Sequence, residues 1–249
     1  MARLRNRITM STLGVMIALP VMADDLDFDE NQSFRDQVRD VLVEEPEILL
    51  EAFQVLEERE MEQRQSRDEG MISELSEVIF DNRADWSTGS GNASVEIVKF
   101  VDYNCGFCRQ AHPVMQSLVE RDDDLRFSVK ELPVLGEGSD AASRLAIAAR
   151  LVHGDEAYED LNHAMLESDS QIEPDDVAGL IEDFELDATA INDAMFSDQV
   201  NAVINENHQL AQMFDISGTP SFILNDRVIR GFAEEDVFHA AMMEIRAAD

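Results

Sequence analysis

The fold is decided by Val95-Glu96-Ile97-Val98-Lys99-Phe100-Val101-Asp102-Tyr103-Asn104-Cys105-Gly106-Phe107-Cys108-Arg109-Gln110-Ala111-His112-Pro113. The first seven residues are rich in β-branched side chains and read as a buried strand. Asp102-Tyr103-Asn104 leads out of it, and a helix kinked by Pro113 is expected from about Gly106 to Glu120. A Cys-x-x-Cys that opens a helix meets unpaired backbone N–H groups and the positive end of the helix dipole. That setting stabilises a thiolate on the first cysteine, so Cys105 reads as the nucleophile. Cys108, one turn further in, reads as the residue that resolves a mixed disulfide. Leu125 to Leu132 reads as a second strand, and a strand–helix–strand unit of about 40 residues makes the two strands parallel.

The surrounding chain is strongly acidic. Its 249 residues hold 53 acids against 19 bases, a formal net charge of −34, yet 45% are hydrophobic, enough for a folded core. This charge excludes an ordinary nucleic-acid binder, which needs a basic face, and argues against anionic membranes. Of the bases, only Lys99 and Lys130 are lysines, one on each expected strand beside the cysteines. An acidic, lysine-poor surface points to a salty milieu that screens self-repulsion.

Residues 1–23 read as a signal peptide. Arg3, Arg5 and Arg7 precede an apolar run from Ile8 to Leu19, and Val21-Met22-Ala23 resembles a cleavage site, with cleavage expected after Ala23. The run is shorter than the ~20 residues a membrane anchor needs. Loss of this segment removes three arginines and no acid, so the charge moves from −34 to −37. The mature protein is expected to be exported to the periplasm, soluble and without a membrane span.

Residues 24–83 read as a helical arm. Phe34, Val38, Val41 and Leu42 share one helical spacing, and Ile48, Leu49, Ala52, Phe53 and Leu56 share another after Pro46. The apolar face over 34–56 either packs on its own domain or joins copies of the chain. Glu57 to Gly70 is almost wholly polar, and a third helix is expected from Met71 to Ile79. Asp81 to Ser94 reads as a boundary. Residues 139–214 read as helical, capped by Ser139 and broken near Gly154, Pro174 and Asp187. Two short strands, Ser221–Leu224 and Arg227–Arg230, flank an Asn225-Asp226 turn, and a final helix runs from about Glu234 to Ala247.

Two cysteines at this spacing leave three chemistries open. A structural disulfide framework would have more cysteines, more widely spaced. A zinc site usually needs four ligands, of which His112 would add only a third. A redox-active pair is the reading adopted, and no resident metal is expected. Copper or another soft metal held by the same pair is the alternative function. The histidines show no shared spacing, and His112 is expected to be exposed.

The strand before the motif, the Cys105-Gly106-Phe107-Cys108 motif, Pro113, the helical insertion and Gly218-Thr219-Pro220 ahead of a hairpin together resemble the DsbA-like thioredoxin-fold oxidoreductases. The arm, with Glu45-Pro46-Glu47, is similar to that of the ScsC-like subgroup. The resemblance implies an α/β thioredoxin fold with a helical insertion over residues 84–249, preceded by the arm. It implies thiol–disulfide exchange with exported proteins, as oxidase or isomerase, with no bound cofactor beyond the redox-active pair and with a membrane redox partner to reset it. It implies a cis Thr219–Pro220 bond in a loop that docks substrate beside Cys105. Gly106-Phe107 and Thr219 resemble the isomerase-type and ScsC-like members and imply a couple less oxidising than that of DsbA itself. One departure stands out. Relatives carry a buried acid six residues before the first cysteine, where this chain has Lys99. Glu131 on the neighbouring strand is expected to pair with it near Cys108, while the other possibility is that Lys99 reaches out to solvent at an edge.

Overall fold

Five strands form one mixed sheet in the computed structural model, which describes residues 28–248. The expected signal peptide, residues 1–23, lies outside the described residues. Strands β1 (Trp86–Gly89), β2 (Val95–Val101), β3 (Leu125–Glu131), β4 (Ser221–Leu224) and β5 (Arg227–Arg230) are ordered β1-β3-β2-β4-β5. β2 and β3 run parallel, as their connection through helix α4 (Gly106–Arg121) requires, with Lys99 opposite Val129 and Val101 opposite Glu131. The other pairings are antiparallel. Asn225 takes φ +45° in the two-residue turn between β4 and β5, as expected of Asn in a tight hairpin.

The helices are α1 (Phe28–Glu44), α2 (Glu47–Glu74), α3 (Ser76–Phe80), α4, α5 (Glu137–His153), α6 (Asp155–Glu167), α7 (Val177–Asp183), α8 (Ala188–Met195), α9 (Asp198–Met213) and α10 (Glu235–Ala248). Side chains alternate across the sheet. Ile97, Val101, Phe127, Val129 and Phe222 join one core with α4, α5, α6 and α10. Val98, Phe100 and Ile223 join a second with Ile79, Phe80, Leu210 and Phe214. The insertion, α5 to α9, thus sends helices to both faces of the sheet.

Three local features differ from the sequence reading. Trp86–Gly89, taken as part of a turn-rich boundary, is an edge strand paired antiparallel with β3. Gly89 permits it: φ is +92°, and a Cβ there would stand 2.1 Å from the Leu125 carbonyl oxygen. The charged stretch Glu57–Gly70 is continuous helix, as the reading of 24–83 as a helical arm expects, because Glu, Arg, Gln and Met favour helix even without an apolar face. The helix expected over Met71–Ile79 is interrupted at Leu75, whose φ of −106° and ψ of 14° leave the helical region. Ser139 is not a cap, since α5 begins at Glu137 and the Ser139 hydroxyl instead donates to Asp102 Oδ1 at 2.7 Å.

The chain divides into two compact units after Glu58. In the first, Phe34, Val38 and Val41 of α1 and Ile48, Leu49 and Phe53 of α2 are exposed, Phe34 by 64% and Phe53 by 60%. The second holds the sheet and the remainder of α2, where Asp68 and Ile72 are buried and Arg230 donates to Asp68 Oδ2 at 2.9 Å.

The two lysines lie on opposite faces of the sheet, and both are buried. Lys130 forms an ion pair with Asp85 and donates to the Val78 carbonyl at 3.0 Å, tying β3 to the segment before β1. Burial pushes the Asp85 carboxyl up, and the Lys130 charge opposes that push. Lys130→Met should therefore destabilise the fold by about 3–5 kcal/mol, since it leaves a buried carboxylate alone. Chemical denaturation reads this directly, and the double change with Asp85→Asn should recover part of the loss.

Candidate functional site

Cys105 is the N-cap of α4, and Cys108 lies in its first turn. Asp102 builds the approach to them. Its carboxylate accepts from the backbone N–H of Asn104 at 2.9 Å, Val134 at 2.8 Å and Leu135 at 3.0 Å, and from Ser139. Asn104 exchanges two hydrogen bonds with the backbone of Ile172, at 2.9 and 2.7 Å. Gly138 allows this approach, because a Cβ there would stand 2.0 Å from the Ile172 carbonyl oxygen. The insertion is thereby fastened to the residue before the nucleophile.

The two sulfurs are unequal. Cys105 keeps 8% of its surface and Cys108 none. The Cys105 thiol is brought down to about 5, first by a hydrogen bond from Cys108 and also by Thr219 and the backbone N–H groups of Cys108 and Phe107, against burial that raises it. Burial pushes the Cys108 thiol far up, as does its hydrogen bond to Cys105. The first sulfur is thus a thiolate at neutral pH, and the second stays protonated until its proton is taken.

The Thr219–Pro220 bond is cis, and this loop lies against the nucleophile: Cys105 Sγ is 3.0 Å from the Thr219 carbonyl oxygen. The carbonyl accepts from the thiol form and favours it. Thr219 Oγ1 is buried with no hydrogen-bond partner, and its side chain acts to lower the Cys105 pKa, so its hydroxyl is placed to donate to the thiolate. Thr219→Val should raise the Cys105 pKa by about one pH unit, the worth of one ordinary hydrogen bond. The pH dependence of thiolate absorbance checks this.

Lys99 Nζ donates to the Cys108 carbonyl oxygen at 3.3 Å. Burial lowers its pKa to about 8, opposed first by the charge of Cys108, then by those of Glu131 and Cys105. Lys99 therefore does not reach out to solvent, and it sits at the resolving cysteine as expected. The expected ion pair with Glu131 is not formed. Glu131 Oε1 accepts from Tyr103 at 2.7 Å and Tyr158 at 2.6 Å, and Oε2 accepts from Ser143 at 2.8 Å. Burial raises this carboxyl to about 7 against those hydroxyl donors. Three neutral donors take the place that the ammonium was expected to fill. Tyr103, Tyr158, Ser143 and Asn162, which donates to Tyr103 at 3.0 Å, were not signalled in the sequence as site residues.

His112, expected to be exposed, is buried, because α6 covers its side of α4. It lines a cavity of about 120 Å³ together with Lys99, Gln116, Asn162 and His163. On the outer side of the motif, Phe107 is 57% exposed and stacks on Phe232 with ring centroids 6.4 Å apart. A side chain at Gly106 would meet open space.

This strand–motif–helix geometry with an opposing cis-proline loop belongs to a known class. Residues 96–243 match the DSBA-like thioredoxin domain family, and residues 30–63 match the family described as the copper resistance protein ScsC N-terminal domain. The chain belongs to the DSBA-like thioredoxin domain family, whose members are thiol–disulfide oxidoreductases. A thioredoxin-like oxidoreductase from Silicibacter pomeroyi is 32% identical, with a TM-score of 0.65 over 70% of this chain and 98% of that one. BcfH of Salmonella enterica Typhimurium is 25% identical, with a TM-score of 0.74 over 87% of this chain and 96% of that one. The Na(+)/H(+) antiporter NhaA 1 of Salinispora arenicola is 28% identical over 175 residues, which are 70% of this chain and 26% of the antiporter. The chain spans about a quarter of the length of that relative. Among the described residues no helix is long and apolar enough to cross a membrane.

Proposed function

We propose that the protein exchanges disulfides with exported proteins through Cys105 and Cys108, as an oxidase or isomerase. The observation that carries this reading is the inequality of the two sulfurs, one reachable and held at about 5, the other wholly buried beneath it. In the reducing direction the Cys105 thiolate attacks a substrate disulfide and expels one substrate thiolate. Cys108 then gives up its proton, attacks Cys105 sulfur and expels the second. The substrate gains two electrons, and the protein is left with a Cys105–Cys108 disulfide. The oxidising direction is the reverse, and a membrane redox partner resets the pair in either case. No bound cofactor enters these steps.

Thr219 and Pro220 supply the surface along which an extended substrate lies, and exposed Phe107 and open Gly106 flank the reacting sulfur. Lys99 and Glu131 tune the pair from beneath. Neutral Lys99 receives the Cys108 proton and becomes the ammonium that faces the new thiolate, which is the task of the buried acid in relatives. The exposed apolar face of residues 34–56 and the family match over 30–63 support an arm that joins copies of the chain. Export to the periplasm, with cleavage after Ala23, completes the reading.

Scrambled-ribonuclease refolding and reduction-potential measurements, with and without residues 24–58, test the proposal, since Ile72, Ile79 and Phe80 beyond them belong to the core. Isomerase activity that depends on the arm is the expected result. Absence of thiol–disulfide exchange in the full chain would overturn it.

A further inference from the structure

Behind the redox motif, α4 and α6 bring together side chains that the exchange reaction does not use. His163 and Glu167 are four residues apart on α6 and so share one face of that helix. His112 reaches them from α4, one turn beyond Cys108. One ligand atom from each of the three lies within 4.8 Å of the others. The imidazoles meet edge to face, with ring centroids 4.7 Å apart and planes at 87°. His112 Nε2 is buried with no hydrogen-bond partner, an unsatisfied ring nitrogen that calls for a ligand.

We propose that His112, His163 and Glu167 bind a divalent first-row metal ion of the zinc type, separately from the cysteine pair. Two imidazoles and one carboxylate form the borderline donor set that suits such an ion and leave a fourth position for water. Tetrahedral coordination at ordinary bond lengths puts ligand atoms about 3.3 Å apart. Glu167 is exposed and free to close the remaining gap by a rotamer change. Gln116 Nε2 donates to His163 Nδ1 at 3.1 Å; with the ion on Nε2 the amide would turn over, so that its oxygen accepts from Nδ1–H as the second partner that metal-binding histidines usually have. An outer cleft lined by His112, Gln116, Glu167 and Asp169 provides an entry path. The bound ion would clasp the insertion helix to the helix that carries the thiols.

The test uses the full chain in its oxidised form, where the Cys105–Cys108 disulfide removes both thiolates as ligands. Equilibrium dialysis against Zn²⁺ should show one ion per chain. Co²⁺ should give the visible spectrum of a four-coordinate nitrogen and oxygen site, without a sulfur charge-transfer band. His163→Ala and Glu167→Gln, both away from the sheet core, should each weaken binding about tenfold or more, since even second-shell losses reach that size. Circular dichroism confirms that these variants fold. No uptake by the oxidised protein, uptake by the reduced form alone, or binding unchanged in His163→Ala would overturn the proposal.

Discussion

Cys108→Ser should trap the protein on its substrates. Cys105 keeps its place at the helix N-terminus and still attacks, but no second thiol lies beneath it to release the product. Turnover should fall by about 10³-fold or more, because intramolecular attack carries effective molarities of ~10⁵ M or above that a free thiol does not replace. Non-reducing gels should show mixed disulfides through Cys105 that vanish on reduction. One result would count heavily against the assigned roles: a Cys108→Ser variant that turns over normally while Cys105→Ser accumulates the mixed disulfide.

Lys99→Met should separate activity from stability. The wild-type ammonium is wholly enclosed, is held at about 8, and faces the Cys108 carbonyl. A lysine that holds fewer protons folded than unfolded opposes folding in full below about pH 8. That opposition is relieved as the pH rises towards the unfolded value of 10.5. Removing it should therefore stabilise the protein at pH 7 by up to ~3 kcal/mol, and the rise of stability between pH 8 and 10.5 should flatten. Meanwhile the resolving step should slow by about a hundredfold, the scale of a lost proton acceptor. In the wild type this step should accelerate with pH as Lys99 loses its proton near pH 8, and in Lys99→Met that limb should disappear. A merely structural lysine would leave the pH profile of the resolving step unchanged. Single-turnover kinetics of mixed-disulfide resolution across pH make the distinction.

The contrast between Lys99 and Lys130 shows what a sequence does and does not reveal. Both were visible as the only lysines of an arginine-rich chain, and both were placed on the strands beside the motif. The pairing of each depends on residues far away in the chain. Asp85 captures Lys130 from the segment before β1, an edge strand too short and too rich in Ser, Thr and Gly to read as one. Glu131 is lost to Lys99 because Tyr103, Ser143 and Tyr158 converge on it from the turn before α4, from α5 and from α6. By contrast, the strand, the Cys-x-x-Cys, the helix and the Thr219–Pro220 loop carry local signals, since each depends on a few adjacent residues. The His112–His163 contact had no such signal. It exists only because the insertion folds α6 back over α4.

The central claim is that Cys105 alone is the reactive thiolate and Cys108 the protonated partner beneath it. Alkylation of the reduced protein across pH, with the modified residue mapped by mass spectrometry, tests this most directly. The account predicts modification at Cys105 only, with a rate that titrates at about 5. Equal labelling of both cysteines, labelling of Cys108 first, or a midpoint near the ordinary thiol value of 9.0 would contradict it.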